Sequence, residues 1–287
     1  MKTRPYQVLD VFTSVPYMGN PLAVVLDGSG LSTAQMQQYA KWTNLSETTF
    51  VLPPTQASAD YAVRIFTPGG ELPFAGHPTL GTCDAWLSAG GVPKQAGVVV
   101  QECAVGLVTI SNGSARRAFT APPFKRSAPA PSALAQVCAA LGLKASQLRV
   151  AQMLDVGTPW LALLLDSPQT LLSLTPDHAE LKKIGLKVGA AAAYESHTES
   201  RAESRSDAQL EVRVFAAATG VNEDPATGSL NALLGQWLIA DGLMPRQYVA
   251  AQGSAMGRDA RIHIRAEDEK IWVGGDVVRC ISGTVDL

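Results

Sequence analysis

The sequence predicts an α+β protein made of two similar lobes, and three observations carry that prediction. Arg64-Ile-Phe-Thr-Pro-Gly-Gly-Glu-Leu-Pro-Phe-Ala-Gly-His-Pro-Thr-Leu-Gly81 is echoed by Arg213-Val-Phe-Ala-Ala-Ala-Thr-Gly-Val-Asn-Glu-Asp-Pro-Ala-Thr-Gly-Ser229. Gly19-Asn-Pro-Leu-Ala-Val-Val-Leu-Asp27 reappears as Gly157-Thr-Pro-Trp-Leu-Ala-Leu-Leu-Leu-Asp166. A capped helix follows each apolar run, from Ser32 in the first half and from Thr175 in the second. The same elements recur in the same order with a slowly growing offset, so the chain reads as an internal duplication. Two copies make a pseudo-symmetric pair of lobes, not a solenoid.

Composition narrows the classes. With 287 residues, 46% of them apolar, the chain can bury a sizeable core. A net charge of −2 supplies no basic field for nucleic acid. The N-terminus has no apolar targeting region, and no apolar window is long enough to span a membrane, so the expectation is a soluble cytoplasmic protein. Cys83, Cys103, Cys138 and Cys280 form no CxxC pair and have no clustered His, which speaks against zinc and disulfides. Cys138 and Cys280 read as small buried apolar residues.

In chain order, Val8 to Thr13 is strand-like, Gly19-Asn-Pro21 a turn, and Leu22 to Leu26 a buried strand. Ser32 caps a helix to about Trp42, with Met36, Tyr39 and Ala40 on one face. Thr48 to Leu52 and Tyr61 to Phe66 are strands. Pro78 opens a helix to about Ser88, with Leu80, Cys83 and Leu87 at helical spacing. Strands follow at Val98 to Gln101, Leu107 to Ile110 and Ala118 to Thr120. The Pro-rich stretch Ala121 to Pro131 is the linker candidate. This divides the chain into an N-terminal lobe, 1–125, and a C-terminal lobe, 126–276. Ser132 caps a short helix ended by Gly142. Residues 195–207 are polar and aperiodic and read as a surface loop, giving His197 no functional weight. Leu230, Leu233, Leu234, Trp237 and Leu238 mark a helix over 225–241. Strands at Ala260 to Arg265, Lys270 to Val273 and Val277 to Val285 finish the chain.

The chemistry gathers at the two matched stretches. Each turns on Gly and Pro and sets one ionisable residue, His77 or Asp224, before a helix start. Helix starts carry free N–H groups and a partial positive charge, and both together suit a carboxylate. Taken singly, Asp224 reads equally as an N-cap and His77 as a structural histidine. Glu223 reads as a solvated acid. Asn44-Leu-Ser-Glu47-Thr-Thr-Phe-Val is the third stretch. Asn44 and Glu47 could form a capping box, but β-branched residues follow Glu47 where a helical period should stand. A Glu at the mouth of an apolar strand calls for a reason, and a desolvated carboxyl is a usable proton carrier.

Gly19-Asn-Pro, Asn44-Leu-Ser-Glu-Thr-Thr-Phe, Phe74-Ala-Gly-His-Pro-Thr and Asp224-Pro-Ala-Thr-Gly-Ser together resemble the PhzF family of phenazine-biosynthesis-like proteins. The resemblance runs from Asp10 to about Gly283. It implies the diaminopimelate epimerase fold: two lobes, each a curved, mostly antiparallel sheet around a central helix, with the site in the cleft between and the last strand, about 277–287, joined to the first lobe. It implies cofactor-free and metal-free proton transfer on a small cyclic carboxylic acid, similar to trans-2,3-dihydro-3-hydroxyanthranilate isomerase, by a homodimer. By the same resemblance Glu47 is the acid/base, His77 and Asp224 its partners, and Asn20, Ser46, Gly76, Gly228 and Ser229 substrate-binding positions. Epimerases of this fold carry one cysteine per lobe at these loops. Here Ala75-Gly-His and Asp224-Pro-Ala stand there instead, so a two-thiol racemase is excluded. The alternative is a non-catalytic small-carboxylate binder of the same fold. A hydrolase finds no Gly-x-Ser-x-Gly elbow or metal cluster.

Overall fold

The computed structural model describes residues 1–113, 116–157, 159–194 and 207–287. The chain forms two compact units. One comprises Met1–Thr120 with Trp272–Leu287, the other Ala121–Ile271. The polar stretch expected to be a surface loop falls outside the described residues except for Asp207, and so does Thr158 of the second apolar-run motif.

The first unit contains β1 (Thr3–Val11), β2 (Asn20–Val25), α1 (Thr33–Thr43), β3 (Glu47–Leu52), β4 (Tyr61–Thr67), β5 (Gly70–Leu72), α2 (Gly76–Ser88), β6 (Val98–Cys103), β7 (Gly106–Ser111) and β8 (Arg117–Thr120). The second contains β9 (Lys125–Ser127), α3 (Pro131–Leu141), β10 (Leu148–Asp155), β11 (Pro159–Leu165), α4 (Pro168–Leu172), α5 (His178–Ile184), β12 (Lys187–Ala193), β13 (Leu210–Phe215), α6 (Gly228–Ala240), β14 (Gln247–Gln252) and β15 (Ala260–Glu267). β16 (Lys270–Gly275) and β17 (Val277–Asp286) end the chain, and β17 pairs with β1 in the first unit.

The duplication is visible in the strand pairings. In the first unit β1–β2 is antiparallel, β2–β3 parallel, β3–β4 antiparallel, β4–β6 parallel and β6–β7 antiparallel. In the second, β10–β11, β11–β12, β12–β13, β13–β14 and β14–β15 repeat that alternation step for step. The first sheet runs on through β7, β8 and β16. A parallel join needs a crossover, and the helices supply it. α1 crosses between β2 and β3, α2 between β4 and β6, α4 and α5 between β11 and β12, and α6 between β13 and β14.

The helices sort by amphipathicity. α1 has a capping box: Ser32 Oγ accepts from Gln35 N, and Gln35 Oε1 accepts from Ser32 N. It lays Met36, Tyr39 and Ala40 on one sheet face with Val25, Phe50 and Phe66. α2 is different. Every residue from Gly76 to Cys83 is buried, the mark of a helix surrounded by protein. Two of its buried polar side chains are satisfied within the unit: Thr82 Oγ1 pairs with Thr49 Oγ1 at 2.8 Å, and Thr79 Oγ1 donates to the Ala75 carbonyl and accepts from Gln101 Nε2. At Gly81 a Cβ would stand 2.6 Å from Leu22 and 2.9 Å from Val11, so glycine lets the helix lie against β1 and β2. In the second unit the expected stripe of α6 is wholly buried. α3, α4 and α5 cover the other sheet face through Val137, Leu141, Leu171 and Leu181 against Leu161, Leu163, Val188 and Ala190. Strands buried on both faces explain the unbroken apolar runs of β11 and β12.

Several local expectations are corrected. α2 begins at Gly76, two residues before Pro78. The first four helical N–H groups have no intrahelical partner, so Pro is tolerated at the third position as well as the first. α3 is capped at Ala130 with Pro131 at N1, two residues before the predicted Ser132 cap. The cap of α5 is Asp177, which accepts from Glu180 N, because its carboxylate is in range and the Thr175 side chain lies two residues too early. α6 starts at Gly228, after the Asp224-Pro-Ala-Thr turn. Cys138 and Cys280 are only half-buried, since one lies beside the Val137/Leu141 face and the other on the exposed β17. Within the Pro-rich stretch, Lys125–Ser127 pairs with β10 and satisfies backbone groups of Met153–Asp155.

Candidate functional site

In the first unit three chain ends converge, and each is set by a local device. β1 stops at Val11 because Phe12, fully buried, takes a left-handed backbone with φ 67°. The chain returns at Gly19, where a Cβ would sit 2.2 Å from the Val11 carbonyl oxygen, so only glycine fits. Gly19 N donates to Asp10 Oδ2 at 3.0 Å. This delivers Asn20, wholly buried, and Pro21 to the start of β2. α1 ends at Asn44 in the left-handed conformation, φ 54°, its N–H bonded to the Ala40 carbonyl. Asn44 is therefore a C-cap and no partner in a capping box with Glu47. Ser46 is half-buried, and Glu47 opens β3 beside Leu22 of β2. α2 enters from Ala75, which offers no capping side chain, so Gly76 and His77 begin the helix without an N-cap side-chain bond.

His77 is the electrostatic centre of this cluster. Its ring is almost fully buried, and desolvation drives its pKa down to about 3 against the opposing pull of the Pro21 backbone. The imidazole is therefore neutral at pH 7. Proline has no N–H, so the Pro21 partner is its carbonyl, and the ring nitrogen facing it must carry the hydrogen. Nε2 lies 3.3 Å from Glu47 Oε2 and has no hydrogen-bond partner among the described residues, so the Pro21 partner is Nδ1. The contact is thus not an ordinary ion pair: a buried imidazole lone pair faces a buried carboxyl oxygen, an arrangement that is favourable when one proton lies between them.

The second unit holds Asp224, Gly228 and Ser229. β13 presents Arg213, whose guanidinium grips Glu223 with two bonds of 2.9 Å. Arg213 also donates to the Leu171 and Leu174 carbonyls and lies over the Phe215 ring. Side-chain exposures of 4% and 11% make this a buried pair, so Glu223 is not a solvated acid. A buried guanidinium requires a partner anion, and the loop supplies it. The pair fixes the residue next to Asp224. Asp224 N donates to the Val214 carbonyl at 3.0 Å, and Asp224 Oδ2 accepts from Thr227 Oγ1. Asp224 is not the N-cap of α6; that position is Thr227. Gly228 is buried and Ser229 half-buried in the first turn.

The sequence alone missed the Pro21 carbonyl, the Arg213–Glu223 pair and Gln252, which bonds to Asp224 and Thr227. The only signal for Gln252 was a polar residue ending the buried run Tyr248 to Ala251. Among the described residues no three His, Cys, Asp or Glu side chains converge as for a metal. Cys83 is fully buried, and burial pushes its thiol up to about 12, so it is no nucleophile.

Residues 9–283 match the PhzC-PhzF family, described as phenazine biosynthesis-like protein. A trans-2,3-dihydro-3-hydroxyanthranilate isomerase of Pseudomonas aeruginosa is 36% identical over 268 residues, covering 91% of this chain and 90% of that one. Antisense-enhancing sequence 1 of Schizosaccharomyces pombe is 34% identical over 301 residues, 99% of each chain. The crystal structure of a PhzF-family phenazine biosynthesis protein of Bacillus anthracis superposes with a TM-score of 0.83 over 100% of both chains at 23% identity, a likeness of fold.

Proposed function

This chain belongs to the phenazine biosynthesis-like PhzC-PhzF family and is an isomerase, and we propose that it moves a proton within a small cyclic carboxylic acid without a cofactor. The observation that carries this reading is the buried contact between Glu47 and His77. One proton shared by two such groups belongs on Glu47, because His77 resists a second proton. Glu47 then rests as an acid. It gives its proton to one substrate carbon and, as a carboxylate, takes one from another. Substrate and enzyme both end with the protons they began with, so the net change is isomerisation. His77 accepts a hydrogen bond from the resting acid and steadies it; Asp224 is its anionic counterpart in the reaction. Asn20, Ser46, Gly76, Gly228 and Ser229 are the substrate-binding positions.

The P. aeruginosa relative makes trans-2,3-dihydro-3-hydroxyanthranilate the first substrate to test. Turnover in deuterium oxide, read by NMR, should place about one solvent deuterium per product molecule, because the resting carboxyl exchanges with solvent before it gives its proton. Product that carries only protium at normal turnover would mean direct carbon-to-carbon return and would overturn the acid-first order. The family resemblance further supports a cytoplasmic homodimer, which light scattering at micromolar concentration tests by its mass. Among the described residues no helix is long and apolar enough to cross a membrane.

A further inference from the structure

Behind Asp224, the direction of each hydrogen bond can be assigned from chemistry alone. The Thr227 backbone N–H can only donate, and it lies 3.0 Å from one amide atom of Gln252, which must be Oε1. Asn231 Nδ2 donates to the same oxygen at 2.9 Å and to the Thr227 carbonyl at 3.0 Å. The other amide atom of Gln252 is therefore Nε2, which has hydrogens and no lone pair to offer. It donates to the Asp224 carbonyl at 2.8 Å and to Thr227 Oγ1 at 3.0 Å. Gln252 is fully buried, and a flipped amide would set its NH2 against two donors. Having accepted from Gln252, the Thr227 hydroxyl has its single hydrogen left for Asp224 Oδ2.

We propose that Gln252 and Thr227 form a one-way hydrogen-bond relay that holds Asp224 as an ionised carboxylate, so that Asp224 serves as a fixed anion and not as a second proton carrier. A hydrogen bond donated to the charged form favours it, and such charge-assisted bonds are the strong ones. The contrast with the first unit is chemical. At Glu47 a proton is needed to reconcile two lone pairs, whereas at Asp224 the hydroxyl already supplies one. Neighbouring Glu223 is committed to Arg213 and does not compete for the Thr227 hydrogen. Thr227 and Gln252 are positioning residues. The proposal rests on the reading that Asp224 serves the isomerisation.

The test has two arms, so that failure of that reading and failure of the relay can be told apart. The first needs no substrate. Infrared difference spectra of full-length protein labelled with carboxyl-13C aspartate, with Asp224→Asn as the subtraction, isolate the Asp224 band at neutral pH. An ionised-carboxylate band in wild type and Thr227→Ser, displaced in Thr227→Val, supports the relay. A protonated-carboxyl band in wild type, or an unmoved band in Thr227→Val, overturns it. The second arm uses trans-2,3-dihydro-3-hydroxyanthranilate. Thr227→Val should lower kcat about tenfold to a hundredfold, the loss expected for one hydrogen bond to a charged group, with KM within about threefold. Thr227→Ser should restore kcat. Equal losses in the Ser and Val variants would mean packing alone and would sink the proposal. Wild type that does not turn over this acid removes the reading of substrate, and the infrared arm then decides the relay.

Discussion

Acidification should weaken this fold through His77, and the size of the effect follows from its burial. The folded imidazole titrates near pH 3, while an unfolded one titrates near its ordinary value of 6.5. Between those values the unfolded His77 ring holds a proton that the folded ring lacks, so the contribution of this ring to stability rises with pH across that window and falls on acidification. From pH 7 to pH 5 the unfolded state gains about 2 kcal/mol from protonating this one ring. The figure depends little on the folded value, because any titration well below pH 5 leaves the native ring neutral throughout. Denaturant melts of wild type and His77→Gln at pH 7, 6 and 5 isolate it, since the remaining histidines are common to both. Wild type should lose about 2 kcal/mol more than the variant over this range. Parallel losses would show that native His77 already carries a second proton. Glu47 would then be its ionised partner and not a resting acid.

Other changes test the scaffold. Glu223→Ala leaves the Arg213 guanidinium buried and unpaired and should cost about 3–5 kcal/mol of stability in denaturant melts. Gly19→Ala puts a Cβ against the Val11 carbonyl and should cost about 1–3 kcal/mol, while amide spectra show Asn20 displaced. Cys83 should resist maleimide in the native protein and react once unfolded, read by mass spectrometry, because its thiol is both buried and held neutral.

The features that were legible from sequence were those with a local cause. Ser32 caps α1 from the residue before its first turn, and the apolar stripe of α6 repeats at helical spacing, so both were readable. Matched motifs gave the doubled architecture because each half repeats its own strand order. The α2 start was misplaced because Pro78 is equally at ease at the first or third helical position. Glu223 was misread because its partner lies ten residues away across a turn, where no period links them. The Glu47–His77 contact joins a strand end to a helix start, and its protonation state depends on a third segment, the Pro21 carbonyl. Gln252 reaches Asp224 and Thr227 only because the parallel β13–β14 pairing brings distant residues side by side. Such contacts are properties of the folded chain and leave little trace in a local stretch.

The account turns on Glu47 as the group that gives and takes the proton. Glu47→Gln keeps the side chain's shape, and its amide can still donate toward His77 Nε2, so folding and ligand binding should stay close to wild type. Proton transfer should not survive. Turnover of trans-2,3-dihydro-3-hydroxyanthranilate, measured on purified wild type and Glu47→Gln at saturating substrate, should fall by about a hundredfold to ten-thousandfold. Wild-type turnover in the variant would contradict the assignment and make His77 the next residue to replace.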